Sequence, residues 1–444
     1  MKKNMKFLII LLGILIMLFL SFSYFQRGDA GNSGYIEGKS FYTKPEIEKQ
    51  IKIAEPDCNP VFYKDVIIYV VVQPGKKIGE RITYDTILTA LDTKNLQPKW
   101  ERRDLYYYSD YQIYEDKLYI VISRVNIDRN IVLCLNPETG ETIWERKIEL
   151  KKDVRLNYIN FYKNMILISA DDAKIYFLNK DTGKIVRERQ FLYKDRENVS
   201  AQWFENGVTS IMYMSVSGDI VVFLHLAYGY IAYDIAADKV IWIYGYKSSD
   251  NEQLWKVWPV LDSDSAYLRL EENIIDKENK ILRYFQFVCV DLKTGKEKWR
   301  IENKPHKVDP YFTISPSVVD KEKVYIEAQG IILAYDKQTG KKVWEFSLDK
   351  QKGIPKSNYE FAGFKTYYLM KIGDALYYPL DTFYAIDGRT GKLLWWDKLS
   401  FKSFAKDSLM NQYVRCIGIY KDKLYLLSRW NDGEDFGYLY VLSY

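Results

Sequence analysis

Four cysteines, two histidines and one close pair of aspartates hold most of the chemistry open to this 444-residue sequence: thiol exchange, imidazole proton transfer or cation binding. Their spacing supports little of it. His225 and His306 fall in different parts of the chain, which leaves no histidine pair for a metal, and no Gly-x-Ser-x-Gly elbow presents a serine nucleophile. Asp262 and Asp264 in LDSDSAYL alternate as in a Ca²⁺ loop, but the glycine of an EF-hand is missing and the segment aligns with the turn of SVVDKEKVYI. A hairpin tip is the simpler reading. Cys134 and Cys289 each stand two residues before a recurring Asn or Asp, in a slot held elsewhere by Ala90, Ala232, Ala334 and Ala385. That slot suits a small buried hydrophobe. No catalytic, cofactor-binding or metal-binding residue is assigned.

Seven segments share an apolar run that ends in Asp or Asn, with Trp eight residues later in all but one. They are Asp92 to Trp100, Asn136 to Trp144, Asn179 to Arg187, Asp234 to Trp242, Asp291 to Trp299, Asp336 to Trp344 and Asp387 to Trp395. Five also carry Thr-Gly before the aromatic position, which sets Gly140, Gly183, Gly295, Gly340 and Gly391 four residues after the Asn or Asp. The Asp or Asn accepts backbone N–H groups and the glycine supplies a positive φ, so each motif reads as a tight β-turn. A second hairpin precedes each, as in QIYEDKLYIVIS and IGIYKDKLYLLS. The unit is therefore four antiparallel strands. Motif spacings of 44, 43, 55, 57, 45 and 51 residues fit one propeller blade each.

Eight upstream hairpins give an eight-bladed, all-β propeller over residues 46–444, with seven blades as the alternative. The eighth hairpin is followed by YLYVLSY and lacks an outer strand, which EIEKQIKIA (Glu46 to Ala54) is placed to supply. Pairing the two ends would remove an exposed edge. It would also make neighbours of the blades that hold Cys58 and Cys416, so a disulfide across the closure is conceivable. Insertions at Gln73 to Tyr84, Glu271 to Arg283 and Trp430 to Gly437 fall between second and third strands, hence on one side of the disc, where they are expected as a rim of long, charged loops that could form a binding face.

Lys2, Lys3 and Lys6 precede nineteen uncharged residues, Phe7 to Phe25. This is an export signal within residues 1–25, either an uncleaved transmembrane anchor or a cleaved signal peptide, and the basic side places the bulk outside the cytoplasm. No cysteine follows it before Cys58, which argues against a lipid anchor on cysteine. Residues 26–45 read as a polar linker. Lys and Arg (64) and Asp and Glu (59) are mixed along the chain, so no basic stripe suggests nucleic acid.

The pattern Ala-x-Asp-x-x-Thr-Gly-x-x-x-Trp resembles the tryptophan-docking repeat of the quinoprotein-type, or PQQ-like, β-propeller family. The resemblance implies that Trp100, Trp144, Trp242, Trp299, Trp344 and Trp395 dock between neighbouring blades. Arg187, Asn95-Leu96 and Ala237-Asp238 depart from the pattern. The family includes dehydrogenases that carry pyrroloquinoline quinone with Ca²⁺, and cofactor-free scaffolds of outer-membrane protein assembly. The chain has no adjacent cysteine pair, which favours the scaffolds. The expected function is a membrane-tethered, extracytoplasmic, monomeric scaffold without a cofactor that binds another envelope protein or an exported polypeptide. The alternatives are a quinone-dependent dehydrogenase or a glycan-active propeller enzyme.

Overall fold

The computed structural model describes residues 35–36, 40, 42–54, 60–78, 81–105, 108–124, 127–151, 154–191, 210–226, 228–244, 258–275, 281–302, 306–307, 317–328, 331–351, 369–379, 383–397, 413–421, 423–429 and 436–443. Their strands are short, rich in Val, Ile, Leu and Tyr, and separated by two-residue or glycine turns, so they fold as meanders. Eight antiparallel sheets follow in chain order. Blade I is Val61–Tyr63, Val66–Ile78, Arg81–Asp92 and Pro98–Arg102; blade II is Tyr108–Tyr114, Lys117–Arg124, Ile127–Leu135 and Thr142–Lys147. Blade III is Leu156–Tyr162, Met165–Ala170, Lys174–Asn179 and Ile185–Gln190; blade IV is Ile211–Ser217, Ile220–His225, Gly229–Asp234 and Lys239–Tyr244. Blade V is Val260–Leu261, Ser265–Ile275, Ile281–Asp291 and Glu297–Glu302; blade VI is Val318–Val319, Lys323–Ala328, Ile331–Asp336 and Lys342–Ser347. Blade VII is Met370–Ile372, Ala375–Pro379, Phe383–Asp387 and Leu393–Asp397.

Blade VIII takes three strands from the end of the sequence, Tyr413–Tyr420, Lys423–Arg429 and Phe436–Ser443. Its fourth is Glu46–Ala54, paired antiparallel from Glu46↔Ser443 to Ala54↔Phe436. The ring thus closes by joining the two ends of the propeller, and the eight-blade count stands. First strands of successive blades lie against one another, so they form the inner wall and the fourth strands form the rim.

Side-chain alternation makes the core. Each strand sends successive residues into opposite seams, and eight hydrophobic clusters result, one per seam. Tyr377 packs in the seam between blades VII and VIII while Tyr378 packs in that between VI and VII. Among the described residues the one helix is the 3₁₀ turn Leu348–Lys350, and no helix is long and apolar enough to cross a membrane. The segment 1–25 lies outside the described residues.

Two expectations change in form. The insertions of blades I and V were expected as loops; instead their second and third strands continue into hairpins paired as far as Ile78↔Arg81 and Ile275↔Ile281. Runs such as RITY and ILRYF supply the β-branched and aromatic residues that let the strands extend. The stretch 26–45, expected as a linker, contributes a strand: Tyr35–Ile36 pairs in parallel with Met370–Ile372, the innermost strand of blade VII.

Candidate functional site

The repeated motif builds a seam of fixed chemistry. In each copy the Asp or Asn side chain accepts backbone N–H groups of the turn, as when Asn179 Oδ1 takes those of Asp181 and Thr182 at 3.0 Å each. That geometry needs the following glycine at positive φ, from 66° at Gly183 to 73° at Gly140. The bare glycine then leaves room for an indole from the preceding blade. Trp100, Trp144, Trp242, Trp299 and Trp344 lie over Gly140, Gly183, Gly295, Gly340 and Gly391, where an added Cβ would fall 2.5 to 2.8 Å from the ring. Each indole Nε1 donates to the carbonyl one residue after the Asp or Asn, at 3.1, 3.0, 2.8, 2.9 and 3.1 Å in the same order. Trp395 has no such turn to meet, because the outer strand of blade VIII comes from the other end of the chain. It is buried in the seam between blades VII and VIII against Tyr377 and Phe383.

The seam between blades III and IV keeps the docking with other atoms. Arg187 stands where the others have Trp, and both its terminal nitrogens donate to Ile235 O at 3.2 Å, the carbonyl equivalent to those taken by the indoles. Its guanidinium lies 4.1 Å from the Phe177 ring centre and 3.6 Å from Asp238 Oδ1. Asp238 occupies the glycine position at φ 53°. The two departures therefore compensate each other. Arg187→Trp alone is expected to lose about 1–3 kcal/mol through overpacking against the Asp238 Cβ. R187W/D238G should recover most of that, giving a coupling of about 1 kcal/mol or more in a urea-unfolding cycle. Additive single effects would refute the compensation.

At the closing seam Lys49 pairs with Val441 in the register of the docking residue, and its ammonium donates to Lys94 O. Leu96 takes the glycine position at φ 61°. A groove of about 370 Å³ remains beside them, lined by Ile51, Ile53, Tyr69, Val71, Ile87 and Leu91.

Among the described residues the buried charged side chains, Arg269, Glu327, Lys371 and Asp387, fall in blades V to VII. Tyr230 OH donates to Arg269 O at 2.9 Å, Arg269 Nη1 to Glu327 O at 3.1 Å, and Tyr378 OH to Glu327 Oε1 at 2.7 Å. Arg269 and Glu327 are 3% and 2% exposed. They occupy the same register in neighbouring second strands, which sequence reading missed: an isolated charge inside an apolar strand was the available signal. Lys371 forms a second buried pair, 2.9 Å from Asp320 Oδ2. Asp320 also accepts the N–H groups of Glu322 and Lys323 and the Tyr325 hydroxyl. Burial alone would raise its pKa, but those donors and the Lys371 ammonium hold it below the usual carboxylate range.

His225 ends the second strand of blade IV with its ring 4.5 Å from Tyr228. Burial lowers its pKa to about 4 and keeps it neutral near neutral pH. His306 lies on a short strand paired with Arg283. Asp262 and Asp264 sit in the turn between the first two strands of blade V, each beside a lysine: Lys337 for Asp262 and Lys298 for Asp264. Cys134 and Cys289 are buried free thiols opposite Trp144 and Trp299, with pKa pushed up to about 11 by burial. Cys58 and the Cys416 side chain lie outside the described residues, as does the insertion from Trp430 up to residue 435.

Quinone enzymes of this fold need a carboxylate set around a cation. Among the described residues no three His, Cys, Asp or Glu side chains are grouped to hold a metal ion.

The two faces of the disc differ. One carries the turns between first and second strands and the docking turns, tied together by interblade pairs such as Tyr63 OH to Asp116 (3.0 Å), Lys117 to Asp181 (2.6 Å) and Tyr162 OH to Asp219 (2.5 Å). The opposite, loop face carries the hairpin arms. Val66–Ile78 has 13 residues and Ser265–Ile275 has 11, against 6 for Ile220–His225. The excess corresponds to projections of roughly 23 and 16 Å at about 3.3 Å per residue. Blades I and V are four apart in a ring of eight, so the arms stand on opposite sides of the channel. On the blade V arm, His306–Lys307 adds as a further strand against Leu282 and Arg283.

Fold and seams together define an eight-bladed β-propeller of the quinoprotein type. The chain belongs to the family whose model is described as outer membrane protein assembly factor BamB, matched over residues 46–244, 128–301 and 194–362. No curated protein matches the sequence. Among solved structures it is similar to the computationally designed Ika8 protein, at 13% identity and TM-score 0.58 over 88% of this chain and 98% of that one. A europium-containing methanol dehydrogenase is similar at 11% and 0.58 over 94% and 97%. The quinohemoprotein alcohol dehydrogenase from Comamonas testosteroni is similar at 10% and 0.59 over 93% and 79%. At these identities the likeness is one of fold.

Proposed function

We propose that the protein is a membrane-tethered, extracytoplasmic scaffold that binds another envelope protein or an exported polypeptide between its hairpin arms, without chemistry of its own. The observation that carries this reading is the pair of arms on opposite blades of one face. A hairpin that leaves its sheet has strand edges open to main-chain hydrogen bonds, and strand addition is an established way to take an extended polypeptide. The blade V arm already accepts one strand in this way, His306–Lys307. Membership of a family described by an assembly factor is consistent with the same reading.

A photo-crosslinking residue in place of Lys77, on the blade I arm, should trap a discrete polypeptide partner in intact cells. The same probe at Glu138, on the turn face, should not. Equal adducts at both positions would sink the assignment of the arms. The enzymatic alternative is tested on the purified protein: a saturable rise in heat stability with pyrroloquinoline quinone and Ca²⁺ would restore it.

A further inference from the structure

We infer that the N-terminal segment threads the ring from the loop face to the turn face, so that the arm-bearing face is the one held toward whatever anchors the N-terminus. The direction follows from the parallel pairing. Met370–Ile372 begins at the loop face and ends at the Gly373-Asp374 turn, and Tyr35↔Lys371 with Ile36↔Ile372 makes the N-terminal strand run the same way. Because Met370–Ile372 is the innermost strand of blade VII, its remaining edge faces the channel and Tyr35–Ile36 lies inside the ring.

The next residues fasten the segment at the turn face. Ser40 Oγ donates to Ile372 O at 3.2 Å and accepts the Asp374 N–H at 2.7 Å. Tyr42 OH donates to Asp374 Oδ2 at 3.2 Å. Further along, Lys44 Nζ lies 2.7 Å from Asp397 Oδ2, at the end of the outer strand of blade VII that pairs with Phe383. From Glu46 the chain climbs the rim of blade VIII back toward the loop face. Reaching the rim from inside the first strand spans four intervals of about 4.8 Å, roughly 19 Å, well within the reach of the nine residues between Ile36 and Glu46 at about 3.3 Å each. The segment therefore clasps blades VII and VIII from inner edge to rim.

Residues that precede Tyr35 then approach from the loop face. This rests on the proposed tethering, and with it the arms point at the bilayer. A partner held between them would be a polypeptide lying at the membrane surface or emerging from it, rather than one arriving from the far side.

The test uses the full-length chain in its own membrane. A Y35C/K371C pair should oxidise to an intramolecular disulfide, recovered as a linked peptide pair, since Cα atoms of paired strands fall within the roughly 4.4–6.8 Å that a disulfide spans. A photo-crosslinker at Asn32 should form no adduct with Gly373-Asp374 or Gly388 to Lys392, which lie at the turn face. Absence of the Tyr35–Lys371 link, or Asn32 adducts on Gly373-Asp374 or Gly388 to Lys392, would overturn the threading. Alkaline extraction of the same membranes separates the two ideas: a protein that washes off while the link still forms has lost the tether but kept the thread.

Discussion

Truncation of Trp242 to alanine is expected to destabilise the propeller by about 3–5 kcal/mol, the range for removal of a buried aromatic side chain. Trp242 is 8% exposed, lies over Gly295 and donates to Leu292 O at 2.8 Å across the seam between blades IV and V. Its loss leaves both an indole-sized void and a carbonyl without its donor, so cavity and hydrogen-bond costs fall on the same site. The measurement is a urea-unfolding midpoint with the slope monitored, because an unchanged slope assigns the shift to stability. Trp100→Ala, at a half-buried ring, should lose less. A Trp242 effect under about 1 kcal/mol would mean that the seam clusters carry the ring and that docking adds only register.

The docking geometry was legible because it is written locally: an Asn or Asp, a glycine four residues on and a Trp four beyond that. Closure through Glu46–Ala54 was legible for a related reason, since an alternating strand before the first hairpin matched a missing strand after the last. The features that were not legible are those that join distant positions. Arg187 and Asp238 were each visible as a departure from the repeat, but their mutual compensation spans two blades and needs the seam to bring them together. Arg269 and Glu327 share a register that only strand pairing reveals. Tyr35–Ile36 sits in a polar stretch with no strand pattern of its own and is ordered by the edge of blade VII, a tertiary effect that local propensity does not encode. The arms show the same limit: their length was visible as an insertion, whereas their form depended on cross-strand pairing.

Replacement of Asp320 by asparagine is expected to cost about 3–5 kcal/mol at neutral pH, the typical result of removing one member of a buried ion pair. Lys371 is 5% exposed and Asp320 10%, so the ammonium left behind has little water to replace the carboxylate. Breaking exposed pairs on the same face, such as Lys64 with Glu138, should change stability far less, because water replaces the lost partner. The pH dependence separates the charge from the shape of the side chain. Because the folded-state pKa of Asp320 lies below its unfolded value, its contribution is complete above about pH 4 and disappears as pH falls through the folded-state value. The wild-type protein should therefore lose this increment on acidification and D320N should not, so the two unfolding curves draw together below about pH 4. A difference that stays constant down to pH 2 would assign the effect to lost hydrogen bonds from Glu322, Lys323 and Tyr325 rather than to the ion pair. Such a result would also bear on the ring as a whole, since it would make the interblade charges on the turn face secondary to the neutral hydrogen bonds that run beside them.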